Sequence, residues 1–240
     1  MTTDILLAVV LTSMIQSIFG VGVLLFGTPI LLLLGYDFIF ALTILLPISI
    51  AINSMQILKH YRHIDHLFYQ NILIYTIPFV VVFLFLVTTA NINIGFLVGL
   101  FLLFVALKSY SPEVERYLES MVKYERIYLA VMGVIHGLTN LGGSLLTAIV
   151  HSKAYPKDVT RVTVASAYAT FAVFQIFTLM FSIDDLQINV PVHGIYLTVG
   201  AMVYVWTEEM LYVNIDNEKY SKIFAAFLFA SGVLLLLKSV

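Results

Sequence analysis

Apolar residues fall in eight long runs, and no run carries a lysine or arginine near its centre. The runs are 5–34, 38–58, 67–89, 94–107, 128–150, 162–181, 190–206 and 223–237. Crossing a hydrocarbon core of about 30 Å takes roughly 18–20 apolar residues in a helix, and most of the runs reach that length. The pattern predicts an all-α polytopic membrane protein. Run 5–34 is long for one crossing, and Gly20-Val21-Gly22 divides it into two arms. Run 128–150 is divided in the same way around Asn140-Leu141-Gly142-Gly143.

Composition agrees with this. The chain is 61% hydrophobic and 11% charged, with a mean hydropathy of +1.01. The longest polar connection, 109–127, is too short for a second core. The absence of cysteine excludes disulfides, thiolate metal sites and cysteine-relay chemistry. Met1-Thr2-Thr3-Asp4 lacks the basic start of a cleavable signal, so the first segment is expected to be retained.

Positive charge assigns the loops to sides. Lys59 and Arg62 follow the second run, and Lys108, Arg116, Lys123 and Arg126 follow the fourth. Lys153, Lys157 and Arg161 follow the fifth, and Lys219 and Lys222 follow the seventh. Connections 35–37, 90–93 and 182–189 carry none. Eight full crossings, the alternative, would put the basic loops after runs four and five on opposite sides. The conflict disappears if runs one and five are re-entrant, each entering and leaving on one side. Of the 12 basic residues only Lys238 then lies outside.

Displacing the chain by 120 residues lays Ile15–Gly22 on Ile135–Gly142 without a gap. Identities are few, but the plan repeats: a glycine-broken run, then three ordinary spans. Three crossings per half invert the second copy. The expected architecture is two inverted repeats, each a re-entrant hairpin plus three transmembrane helices, a recurrent transporter plan. The repeats would occupy 1–110 and 128–240. An interfacial linker helix is expected over 111–127, with Ser111 as N-cap, Pro112 at N1 and an apolar stripe of Val114, Leu118, Met121 and Val122.

Irregular backbone at membrane depth is tolerated only where it is buried in protein or lines a cavity. The second arm of each hairpin starts there, with unpaired N–H groups and the positive end of a helix dipole. Two such ends make an anion site. The candidate substrate-binding residues are Gln16, Ser17, Gly20, Val21, Gly22, His136, Thr139, Asn140, Gly142, Gly143 and Ser144. Asn53, Gln56 and Gln175 are amides placed to line a pathway. His136, the one histidine inside a run, is a candidate anion donor or proton carrier; the alternative is a neutral histidine bonded between helices. The alternative for the glycines is that they let helices pack closely. No Asp or Glu lies deep in a run, which argues against a divalent-cation carrier. His60, His63 and His66 lack the carboxylates of a metal site, and no metal or other cofactor is expected. Tyr36, Tyr69, Tyr204 and Trp206 read as interfacial aromatics.

The segments Gly20-Val-Gly22-Val-Leu-Leu-Phe-Gly27-Thr-Pro29 and Gly133-Val-Ile-His-Gly137-Leu-Thr-Asn140-Leu-Gly142-Gly143-Ser resemble the paired signatures of the sulfite exporter TauE/SafE family, also called toluene sulfonate uptake permeases. Val23 stands where a further glycine is common, Asn140 replaces a glycine, and no proline follows the second cluster. The resemblance implies a transporter of small sulfur-containing or carboxylated anions in the bacterial inner membrane. The expected partners are the small anionic substrate and the lipid bilayer, with further copies of the chain as a candidate and no nucleic acid. An inside-negative potential favours export. Proton-coupled uptake through His136 is one alternative. An intramembrane enzyme using His136 with Ser144 or Ser17 is another, although no HExxH or GxSxG motif is present.

Overall fold

A computed structural model describes residues 2–90, 92–111, 116, 120–186, 188–211 and 217–239. Among these the elements are α1 (Thr3–Phe19), α2 (Val23–Leu33), α3 (Phe38–His60) with a 3-10 turn (Tyr61–His63), α4 (His66–Tyr75), α5 (Ile77–Thr89) and α6 (Ile94–Tyr110). After the central connection come α7 (Glu125–Thr139), α8 (Gly143–Ser152), α9 (Lys157–Ser182), α10 (Val190–Leu211) and α11 (Asn217–Ser239). The described residues include no strand. Within them, four helical stretches are long and apolar enough to cross a membrane: Phe38–His63, His66–Thr89, Lys157–Ser182 and Val190–Glu208. The stretch His66–Thr89 contains both α4 and α5. Only Thr76 separates them, and Pro78 near the start of α5 lacks the N–H that would continue the ladder. Most of the expected linker helix over 111–127, including Pro112, Val114 and Leu118, falls outside the described residues. Ser111 ends α6, its N–H donating to Leu107 O at 2.9 Å. Met121 and Val122 pack against the core.

Both broken runs fold back on themselves. In the first, the Tyr36 hydroxyl beyond α2 donates to Asp4 Oδ2 at 2.7 Å, so the start of α1 and the end of α2 lie together. In the second, Lys153 beyond α8 pairs with Glu125 at the start of α7 at 2.7 Å. The Tyr128 hydroxyl also donates across to Leu145 O at 2.8 Å.

Polar contacts gather at two ends of the helices. One end joins Asp65 to Tyr155, Glu125 to Asn71 at 2.7 Å, and Lys153 to the face of Phe68 at 4.6 Å. The other joins Thr2 to Tyr196 at 3.0 Å, Thr43 to His193 at 3.2 Å, Lys238 to Leu32 O at 3.3 Å and Asn93 to Ser239 O at 3.0 Å.

The two halves interleave. α1 packs on α10 and α7 on α5; α3 packs on α9, and α6 on α11. Glycine permits the closest approaches, as small residues do between membrane helices. A Cβ at Gly133 would lie 2.5 Å from Thr76 O, and one at Gly137 2.8 Å from Val80 O, so α7 rests on the backbone of α5. Gly99 and Gly232 meet each other in the same way between α6 and α11.

Candidate functional site: two buried helix breaks

Both fold-back runs break in the left-handed region. Gly20 has φ 72° and Asn140 has φ 62°, and they stand 120 residues apart. Each closes its helix by the same bond: Gly20 N–H donates to Gln16 O at 2.9 Å, and Asn140 N–H to His136 O at 2.8 Å. Glycine takes this conformation without steric cost, and asparagine is the residue that most readily replaces it. Two residues on, Gly22 and Gly142 fit against the arm before them. A Cβ on Gly22 would lie 2.5 Å from Gln16 N and 2.8 Å from Thr12 O. On Gly142 it would lie 2.6 Å from His136 Cβ and 3.0 Å from Met132 O. Residues 12, 16 and 22 thus correspond to 132, 136 and 142 at the same displacement.

At the first break Gln16 spans the gap between the arms. Its Nε2 donates to Gly20 O at 3.0 Å, and its Oε1 accepts from Val23 N–H, the first amide of α2, at 3.0 Å. Nε2 also donates to Asn53 Oδ1 at 3.2 Å. Asn53 is anchored within α3, donating to Ser49 O at 2.8 Å. Ser17 accepts from the Thr207 hydroxyl on α10 at 2.7 Å. Gln56 is buried and lies beside the Tyr204 hydroxyl.

At the second break Asn140 joins both halves. Its Nδ2 donates to Thr28 Oγ1 on α2 at 2.9 Å, and its Oδ1 accepts from Gln175 Nε2 on α9 at 3.2 Å. Gln175 Oε1 lies 3.2 Å from His136 Nε2. His136 is fully buried and packs on the Phe171 ring at a centroid distance of 4.7 Å. The Thr139 hydroxyl accepts from Leu141 N–H at 3.2 Å. Over the start of α8, a Cβ on Gly143 would lie 1.2 Å from Tyr168 Oη, so the phenol fills the space that a side chain there would need. Ser144 is half-buried and donates to Leu141 O at 3.2 Å.

The candidate residues therefore form two clusters. Gln16, Ser17, Gly20, Val21, Gly22 and Asn53 surround one break, with Gln56 nearby. His136, Thr139, Asn140, Gly142, Gly143, Ser144 and Gln175 surround the other, and Thr28 connects it to α2. Protein oxygens already occupy both second-arm starts, Gln16 Oε1 at α2 and Tyr168 Oη at α8. The unpaired N–H expected at Val23 is paired.

Two sequence expectations need correction, and one residue beside a run needs adding. Arg161 is no loop residue: it is buried in α9. Glu208 lies just past run 190–206 rather than deep in it, and it is buried near the end of α10. The two form an ion pair at 2.8 Å, and Lys59 holds the other Glu208 oxygen at 2.5 Å. Tyr204 is no interfacial aromatic, since it is buried with its hydroxyl accepting from Arg161 at 3.0 Å. Its sequence neighbour Trp206 is exposed. Arg161, Glu208, Tyr204, Thr207, Thr28 and Tyr168 all adjoin the breaks or their immediate partners, and sequence reasoning missed them. The available signal was that Arg161 abuts one apolar run and Glu208 lies two residues beyond another. Among the described residues, no group of three or more His, Cys, Asp or Glu is placed to hold a metal ion.

The family model for the sulfite exporter TauE/SafE matches residues 5–235, nearly the whole chain. The chain belongs to the sulfite exporter TauE/SafE family. No curated protein and no solved structure matches it. Membership makes this a multi-pass membrane protein of a transporter family. Of the glycines in the two segments that resemble the family signatures, Gly20, Gly22, Gly142 and Gly143 lie at the helix breaks, Gly133 and Gly137 at the tight contacts of α7 on α5, and Gly27 against Leu45 of α3.

Proposed function

We propose that the protein exports a small anion such as sulfite, an organosulfonate or a small carboxylate, bound between the two broken helices near the bilayer midplane. The observation that carries this reading is the pair of buried left-handed breaks, at Gly20 and Asn140, in two runs that each fold back on themselves. Each second arm offers backbone amides and the positive end of its dipole to an anion. The oxygens of Gln16 and Tyr168 hold these positions in the structure, and a substrate oxygen would replace them.

In this reading the halves 1–110 and 128–240 are inverted repeats flanking an interfacial linker, and runs one and five are re-entrant in the bacterial inner membrane. Supporting it, the helix pairings exchange between halves, with α1 on α10 matched by α7 on α5. The end of the protein holding Lys59, Asp65, Glu125 and Lys153 is cytoplasmic. An inside-negative potential drives a monoanion outward by about 2.3 kcal/mol per 100 mV without a coupling ion. Export is favoured over proton-coupled uptake because the contacts of His136 among the described residues are an amide, Gln175, and the rings of Tyr168 and Phe171 rather than a carboxylate.

The test has two parts. Single cysteines at positions 37 and 157 of this cysteine-free chain are challenged from outside with an impermeant thiol reagent. Position 37 should label and position 157 should not; labelling at 157 would restore eight crossings. Sulfite, methanesulfonate and acetate are then screened for thermal stabilisation of the purified protein. Stabilisation by none of them would remove the anion reading.

A further inference from the structure

Arg161 approaches the first break from α9. A Cβ on Gly20 would lie 3.6 Å from Arg161 Cγ, so the arginine stem runs along the left-handed turn itself. Its Nη2 reaches Glu208 Oε1 at 2.8 Å, the Tyr204 hydroxyl at 3.0 Å and Ser17 O at 3.5 Å. Its side chain is 8% exposed and that of Glu208 is 9%, whereas Lys59, the second partner of Glu208, is 53% exposed. A guanidinium beside a helix break whose first α2 amide is held by the Gln16 side-chain oxygen can recognise a planar or pyramidal oxyanion by paired hydrogen bonds once that oxygen is displaced. The glutamate carboxylate matches such a ligand in charge and in oxygen spacing.

Resting on the anion-transport reading above, we propose that Arg161 is the cationic substrate-binding residue of the first break. Glu208 is then an internal counter-ion that occupies Arg161 when no substrate is bound. An arriving sulfite or sulfonate takes over the guanidinium, and Glu208 is retained by Lys59, whose exposed ammonium can follow it. The exchange leaves no buried charge unpaired in either state, which keeps the cost of burying the cation low. Tyr204 and Ser17 orient the guanidinium toward the break. The two carboxylate partners come from different helices, α3 and α9, so transfer of Glu208 to Lys59 alone loosens α10 from α9 as substrate binds.

The alternative is a permanent structural ion pair. The two readings differ in the sign of one effect. Purified wild type, Glu208→Gln, Arg161→Lys and the double variant Arg161→Gln/Glu208→Gln are titrated with sulfite, methanesulfonate and acetate, reading dissociation constant and thermal shift. As a competing counter-ion, Glu208 weakens binding, so Glu208→Gln should bind sulfite more tightly than wild type and show the larger sulfite-dependent thermal shift. Arg161→Lys keeps the charge but loses the paired geometry and should bind more weakly. The double variant removes both charges, so it folds without a buried unpaired ion. It should lose affinity by about tenfold or more, the factor for one charge-assisted hydrogen bond. A double variant that binds as wild type does, or a Glu208→Gln variant that binds more weakly, would overturn the assignment of Arg161 alone. A wild type that binds none of the three anions would overturn the transport reading and this inference with it.

Discussion

Gly22→Ala adds one methyl group at the tightest contact in the first hairpin. The new Cβ would lie 2.5 Å from Gln16 N, 2.8 Å from Thr12 O and 2.9 Å from Gln16 Cα. All three atoms are backbone, so no side chain can turn away. Ordinary contact requires the arms to part by roughly 1 Å, since carbon contacts are optimal near about 3.5–4.0 Å. Overpacking of this kind costs about 1–3 kcal/mol. The same movement stretches the Gln16 bonds to Gly20 O and Val23 N, both 3.0 Å, beyond useful length. Hydrogen bonds between membrane helices contribute about 0.6 kcal/mol each on average. The expected loss is therefore about 2–4 kcal/mol. Gly194→Ala is the control: nothing lies within 4 Å of its Cβ, and alanine in a helix is favoured over glycine by up to about 1 kcal/mol. Reversible unfolding by steric trapping or detergent titration gives both values. Gly22→Ala as stable as Gly194→Ala would refute the close fit of the two arms.

Gly142→Ala should behave like Gly22→Ala, because it meets His136 Cβ at 2.6 Å and Met132 O at 3.0 Å; the same unfolding measurement compares them. Asn140→Gly keeps the left-handed turn but loses the bonds to Thr28 and Gln175, so it should cost about 1–2 kcal/mol, and Asn140→Ala should cost more because it also strains φ. Asp65 makes one pH-dependent contribution at the end of the protein that holds Glu125 and Lys153. Burial pushes its carboxyl up, but the Phe68 N–H, the Tyr155 hydroxyl and the Lys153 charge outweigh that and hold it below its ordinary value. A carboxyl depressed on folding stabilises the protein above its unfolded value of about 4 and loses that contribution as pH falls through the folded value. Asp65→Asn should therefore lower stability near neutral pH and converge with wild type in acid; a difference independent of pH between 3 and 7 would exclude this role.

The helix breaks were legible in the sequence because they depend on local chemistry. Glycine at 20 and 22, and asparagine and glycine at 140 and 142, meet a conformational demand that any neighbour would impose. A displacement of 120 residues was enough to pair them. What the breaks contact was not legible. Gln16 reads as a donor for substrate, yet its amide closes the gap in its own hairpin. His136 reads as an anion donor or proton carrier, yet Gln175 and Asn140 tie it into a chain that ends on Thr28. The Arg161–Glu208 pair was hidden for a different reason. Both residues lie within two turns of the ends of their described spans, where charge usually faces water, and they are 47 positions apart in the chain. Burial of a charge depends on which helices pack together, and that is tertiary information. The topology was read from counting lysines and arginines; the fold-back contacts of Tyr36 with Asp4 and of Lys153 with Glu125 involve single pairs that no count contains.

The central claim, that the chain moves a small anion down the membrane potential, is tested most directly by efflux from proteoliposomes. Vesicles loaded with sulfite are given an inside-negative potassium diffusion potential, and external sulfite is followed against protein-free vesicles. The account predicts protein-dependent efflux that grows with the size of the potential and is lost in the double variant Arg161→Gln/Glu208→Gln. Efflux equal to that of protein-free vesicles at every potential, for sulfite, methanesulfonate and acetate alike, would contradict it.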